Sequence, residues 1–215
     1  MHRAQGAVTL LAVLLLTGCV MGNTHAFDYV PAERSEIGAG RTVHLYAVDD
    51  QRPYVVSGDE PANFVGEQRN GYGMPFNVTT KDGRPFAKIV QETVQRDLAA
   101  AGVRVTPSTE KASSIAGAAH PVDADRALTV VMREFKSDTF NNINFDYDFE
   151  VIVYDATGTE LARDRLSGEE ELPGSMMNPV KASKKKVPAH FYTKIHALIT
   201  GNEKVMKALQ KATTN

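Results

Sequence analysis

The chain has one thiol in 215 residues, Cys19, and it follows directly on Leu16, Thr17 and Gly18. These three close an apolar run that begins at Ala7, behind a short segment carrying Arg3. Small residues before a cut site suit a secretory processing enzyme. A cysteine just after the cut has the form of a bacterial lipobox. The chemistry implied is cleavage before Cys19 and lipid modification of its sulfur. The apolar run is far shorter than the ~20 residues that span a bilayer, and every later segment is broken by charges. The pattern predicts a membrane anchor, not a span. One acyl chain attaches a protein only marginally, while two or more hold it firmly. With its sole cysteine lipidated, the folded part has no disulfide, no thiolate metal ligand and no thiol nucleophile.

A second group with recognition chemistry is Asp50, Arg52, Arg69 and Tyr72. Arg presents a planar fork that fits a carboxylate or phosphate, and binding residues gather on loops held by a rigid scaffold. The four read as a candidate binding loop. The competing reading is that Asp50 pairs with an Arg and shapes the loop. Tyr72, between Gly71 and Gly73, is either an exposed contact or a plug over the core. Gly71-x-Gly73 is not a nucleotide fingerprint, because no helix starts directly after it.

Three further sets are weaker. Asp146, Asp148 and Glu150 alternate, so they share one strand face and leave Phe145, Tyr147 and Phe149 on the other. They read as a solvated face balanced by Arg163, Arg165 or Lys136 across the ladder, with cation or basic-partner binding as the alternative. Glu169–Glu171 and Lys184–Lys186 read as solvated charge runs, with electrostatic docking as the alternative. Ser113, His120 and Asp123 are close in sequence, but a triad is defined by geometry, not proximity. His44, His120, His190 and His196 are scattered. No Gly-x-Ser-x-Gly, His-Glu-x-x-His or Walker loop is present. The expectation is a non-enzymatic protein with no metal and no cofactor.

The elements that must position these residues follow from periodicity. Thr42–Val48 alternates and reads as a strand, and Asn63–Val65 as a short one before an irregular loop over 66–74. Phe86, Ile89, Val90, Val94, Leu98 and Ala101 form a helical stripe, opened by Pro85 at position N1 and closed by Gly102. Val103–Val105 starts another strand, and 107–124 reads as surface loop. Arg126–Ser137, Asn144–Tyr154 and Thr159–Ser167, joined by Asn141-Asn142 and by Asp155–Gly158, form an antiparallel meander. Residues 173–188 read as loop. Phe191, Ile195, Leu198, Ile199, Val205, Met206 and Leu209 trace a final helix with a break at Gly201-Asn202. The predicted fold class is α+β: a mostly antiparallel sheet with a three-strand meander and two helices packed on one face. The domain reading is a signal peptide over 1–18, a lipidated Cys and flexible tether over 19–40, and a single α+β domain over 41–215.

Charge excludes one partner class. Loss of residues 1–18 removes one Arg and no acid, so the net charge goes from −2 to −3. Nucleic acid calls for a basic face instead.

Val48-Asp49-Asp50-Gln51-Arg52-Pro53, and the run from Phe64 to Gly73 leading into Pro85 and the first helix, carry a resemblance. With the lipobox, the meander and the C-terminal helix, the chain resembles the YajG-type family of proteobacterial lipoproteins over residues 42–212. The resemblance implies a lipid-anchored protein of the outer membrane, facing the periplasm, with no catalytic residues to carry over. Val20 after Cys19 agrees with outer-membrane sorting. The expected role is a binding or scaffolding module for another envelope component. Its expected partners are membrane lipid, through acylated Cys19, and an unidentified envelope protein. One alternative is an auxiliary lipoprotein of a transport system that handles a small amphiphile, which needs an apolar pocket between sheet and helices. The remote alternative is an envelope hydrolase.

Overall fold

The computed structural model describes residues 22–28, 40–112 and 124–210. Leu16, Thr17, Gly18 and Cys19 lie outside the described residues, as do Ser113, His120 and Asp123. The strands are β1 (Asn23–His25), β2 (Thr42–Ala47), β3 (Asp49–Asp50), β4 (Phe64–Arg69), β5 (Pro75–Thr80), β6 (Arg104–Lys111), β7 (Arg126–Thr139), β8 (Ile143–Asp155) and β9 (Glu160–Leu172). The helices are α1 (Pro53–Val56), α2 (Phe86–Ala100), α3 (Pro179–Leu198) and α4 (Glu203–Gln210).

Strand β7 is the spine. One of its edges carries β2, β3 and β4 in succession, all parallel to it: Leu45 opposite Leu128, Asp49 opposite Val131, Gln68 opposite Thr139. The other edge pairs antiparallel with β8, which pairs with β9. Strand β6 flanks β2, also parallel. Strand β5 runs antiparallel to β4, and β1 parallel to β5.

The meander is as the alternation predicts, but the expected fold class is not. Five of the eight pairings are parallel, and the sheet is a mixed, strongly curled one with four helices rather than a mostly antiparallel one with two. The cause is long-range pairing. Strands β2, β3 and β4 reach β7 from sequence positions that local periodicity cannot connect to it. The first seven residues of β7 are all buried, and its second half alternates.

Three loop assignments are also corrected. The loop read over 66–74 is mostly strand: β4 runs to Arg69, 70–74 is a tight turn, and β5 returns. Gly66 explains the irregular look. It has φ 147°, and a Cβ there would sit 2.2 Å from the Ser137 carbonyl oxygen. The surface loop read from 107 starts later, since β6 continues to Lys111. Residues 179–188 are helix, not loop. Asn178 caps α3 by accepting from Lys181 N at 3.0 Å, and Pro188 lies inside the helix. An interior proline usually breaks a helix; here Val187, Pro188 and Phe191 are buried together and hold it.

Part of the stretch read as tether is docked on the domain. Asn23–His25 forms β1, and the Phe27 ring packs against Phe86, Phe135 and Phe191 with centroids 5.0, 6.2 and 5.4 Å away. These rings belong to the core between sheet and helices, where Phe86 stacks on Phe135 at 4.2 Å and Phe145, Phe149 and Phe191 are fully buried. Helix α2 is the predicted one, with Pro85 as its N-cap rather than N1 and Gly102 at φ 83° just beyond its end. The predicted break before the last helix is real. Asn202 Oδ1 accepts from Lys204 N and Val205 N and opens α4.

Candidate interaction surface

The candidate binding loop separates into three unlike environments. Asp50 ends β3, and Arg52 immediately precedes Pro53, the first residue of α1. Their side chains face each other in a two-pronged pair: Nε to Oδ1 at 2.9 Å and Nη2 to Oδ2 at 2.8 Å. Arg52 also donates to the Phe64 carbonyl at 2.6 Å and the Ala62 carbonyl at 3.2 Å. Its guanidinium lies 5.7 Å from the Tyr54 ring and 5.6 Å from the Phe86 ring, and the residue is 0% exposed. Arg52 is a buried clamp joining β3, α1 and β4, and it presents nothing to a ligand.

Arg69 stands five residues beyond Phe64, roughly 17 Å along β4. It holds Asp138 of β7 with contacts of 2.6 to 3.0 Å and donates to the Gly73 carbonyl at 3.3 Å. It fixes the 70–74 turn to the spine. Asn70 Oδ1 closes that turn by accepting from Tyr72 N and Met74 N. Tyr72 is 93% exposed at the tip and so does not plug the core.

The acidic strand face is ion-paired across the ladder. Arg165 holds Asp148, while Arg163 and Arg133 both hold Glu150. Phe145, Tyr147 and Phe149 lie buried on the opposite face, as alternation requires. Asp146 is less well served: burial, with Glu169 close by, raises its carboxyl above the usual range. Among the described residues no group of three or more His, Asp or Glu side chains is placed to hold a metal ion.

The two charge runs do not pair with each other. Glu170 turns inward to the helix side and meets Tyr147, His190 and Lys194 at 2.7, 2.7 and 2.5 Å. Those donors hold its carboxyl down to about 2. This knot ties α3 to the β8–β9 ladder, and sequence reading missed it because its members come from three elements. Period-2 alternation was the available signal: Glu170 is opposite Phe145 and so shares its inward face.

What remains exposed and apolar is gathered at one end. Thr139 and Ile143 end the β7–β8 ladder there, Gln68 is opposite Thr139, Leu172 is opposite Ile143, and Pro75 opens β5 beside Arg69. Three connections therefore emerge together: 70–74, 140–142 and 173–178. Gly174 N donates to Asn142 Oδ1 at 3.3 Å and joins two of them. Tyr72, Met74, Phe140, Met176, Met177 and Val180 are exposed on these loops and the first turn of α3. They are six of the seven large exposed hydrophobics among the described residues, Met177 reaching 96% and Met176 84%. Exposed apolar side chains concentrated at one end, unlike scattered single residues, make that end the candidate interaction surface.

No family model matches the sequence, and no curated protein matches it either. Solved bacterial structures show a likeness to this chain. A Xanthomonas campestris protein of family DUF330 superposes with a TM-score of 0.52 at 12% identity, over 87% of this chain and 95% of that one. Lipoprotein GNA1162 from Neisseria meningitidis gives 0.42 at 11% identity, over 75% and 99% of the two chains. The PelC dodecamer from Paraburkholderia phytofirmans gives 0.41 at 14%, over 85% and 96%. At such identities the likeness is one of fold, and the argument for a shared fold rests on the DUF330 protein.

Proposed function

We propose that the chain is a bacterial envelope lipoprotein of the YajG type, acting as a non-enzymatic binding or scaffolding module. In this reading residues 1–18 are a signal peptide and Cys19 carries the lipid. The domain over 41–215, with β1 added to its sheet edge, faces the periplasm from the outer membrane. The observation that carries the binding role is the segregation of exposed side chains. The arginines and acids that looked like recognition groups are spent on structural pairs, while the apolar contacts collect at the end formed by the 70–74, 140–142 and 173–178 loops. The Leu16–Cys19 motif supports the anchor.

The test is in-cell crosslinking of the full-length protein through a photoreactive residue in place of Tyr72, followed by mass spectrometry. Capture of an envelope component, protein or lipid, that is lost on Cys19→Ala supports the reading. Capture that is unchanged in the Cys19→Ala form, or no capture, contradicts it.

A further inference from the structure

The apolar end and the start of the folded chain are on the same side of the molecule. Strand β1 runs parallel to β5, with Asn23 opposite Val78, and β5 begins at the apolar end with Pro75. Asn23 is thus about 10 Å from that end, and β1 runs away from it. Cys19 is four residues before Asn23, a stretch that reaches at most ~14 Å. Val78 is paired through Gly66 to Ser137. The opposite end of β7, at Arg126, lies roughly 36 Å further along the strand. The Cys19 sulfur, where the lipid surface begins, can therefore reach the level of Tyr72 and Met74 and falls well short of the other end of the sheet.

Charge at this end is distributed unevenly. From Leu172 to Glu203 the chain has no acidic residue between them, and Lys181, Lys184 and Lys185 are exposed on the first turns of α3. Lys181, in the first turn, sits against the positive end of the helix dipole, the reverse of the local preference. A departure of this kind from local rules is expected where function selects the residue. On the outer face of the sheet the same end carries four acids, Asp138, Asp146, Glu169 and Glu171, around a single lysine, Lys136. The end is thus basic on the helix side and acidic on the outer side, with apolar tips between.

We infer that this end rests on the lipid surface to which Cys19 is attached, with Tyr72, Met74, Met176 and Met177 inserted among the headgroups. The lysines of α3 face anionic headgroups, and the acidic outer face is tilted into water. Tyrosine suits the interface, where its ring is apolar and its hydroxyl wet. Methionine is flexible and adapts to an irregular apolar surface. Several shallow contacts add to the acyl chains and fix the orientation of the domain instead of its attachment. This inference rests on the lipoprotein reading above and names the component that its binding surface meets.

The experiment uses the full-length lipidated protein in vesicles of phosphatidylethanolamine and phosphatidylglycerol. Because Cys19 is acylated, an engineered cysteine is the one free thiol. Met177→Cys and Val56→Cys forms are labelled with an environment-sensitive fluorophore, Val56 being exposed and apolar but on the helix after β3, which pairs with β7 at Val131 and Met132 and not at its Thr139 end. Mass spectrometry of the N-terminal peptide first establishes whether Cys19 is acylated; an unmodified Cys19 overturns the lipoprotein reading and this inference with it. With Cys19 acylated, the label at position 177 is expected to shift to the blue, resist iodide and be quenched severalfold by brominated lipid, while the label at 56 stays open to iodide. Iodide quenching at both positions overturns the inference alone. Resistance to both quenchers at 177 also overturns it and shows that protein covers this end.

Discussion

Asn23 and Val78 lie opposite each other in parallel register. That pair fixes the direction in which the chain enters the domain. A parallel edge strand beside β5 brings the preceding residues in from the end where β5 begins, which is the end bearing Tyr72, Met74 and Met177. An antiparallel β1 would have directed them towards the far end of the sheet.

Arg52 and Arg69 are expected to differ sharply when replaced by alanine. Arg52 is wholly buried and holds Asp50 and two carbonyls. Removing one partner of a buried pair costs about 3–5 kcal/mol. Arg69 is a third exposed, and its loss is expected to cost far less than that of Arg52. Urea unfolding of the two variants checks this. Equal, small losses would show that Arg52 is not a clamp.

Acid is expected to loosen the edge carrying β1. Burial, helped by the positive charge of Lys184 and opposed by a contact with the Thr24 backbone, lowers His25 from 6.5 to about 4. Between those values the unfolded chain binds a proton that the folded chain does not, so stability is full above pH 6.5 and falls as pH drops towards 4. The whole effect is about 3 kcal/mol. Thermal melts across this range should show a slope that His25→Leu reduces. A slope unchanged in that variant would mean that other groups carry it. Glu170, held down to about 2, loses its contribution in the separate window between 4.5 and 2.

Gly66→Ala should destabilise more than an ordinary glycine replacement. The position has φ 147° and no space beside Ser137, so the new methyl meets both backbone strain and a clash. A loss of about 2–4 kcal/mol is expected, read as a lower denaturation midpoint. Gly58, also at positive φ but with open space around it, is the control and should lose about 1 kcal/mol. Equal effects at the two positions would contradict the close packing of β4 on β7.

Local pattern made the meander and α2 legible. Phe145, Tyr147 and Phe149 alternate with acids over a long strand, and the stripe from Phe86 to Leu98 is unbroken. The parallel pairings were not legible, because β2, β3 and β4 reach β7 from distant sequence positions with no adjacent turn to signal them. Strand β5 opens on Pro75 and is half exposed, so it lacks an apolar period. The first half of α3 carries lysines and Pro188, both of which argue locally against a helix, and its stability comes from Val187 and Phe191 in the core. In the candidate loop the residue types were right for recognition, but Arg52 is consumed inside the fold. The Asp50–Arg52 pairing was readable from their closeness in sequence. The exposed end was not, since only the sheet pairings bring the loops of Tyr72, Phe140 and Met177 to one end.

The most direct measurement is the mass of the N-terminal peptide of the protein taken from its cell membrane fraction. A chain that begins at Cys19 with diacylglycerol on its sulfur is the result expected. A chain that retains residues 1–18, or one cut there with a free Cys19 thiol, would contradict the assignment as an anchored envelope protein.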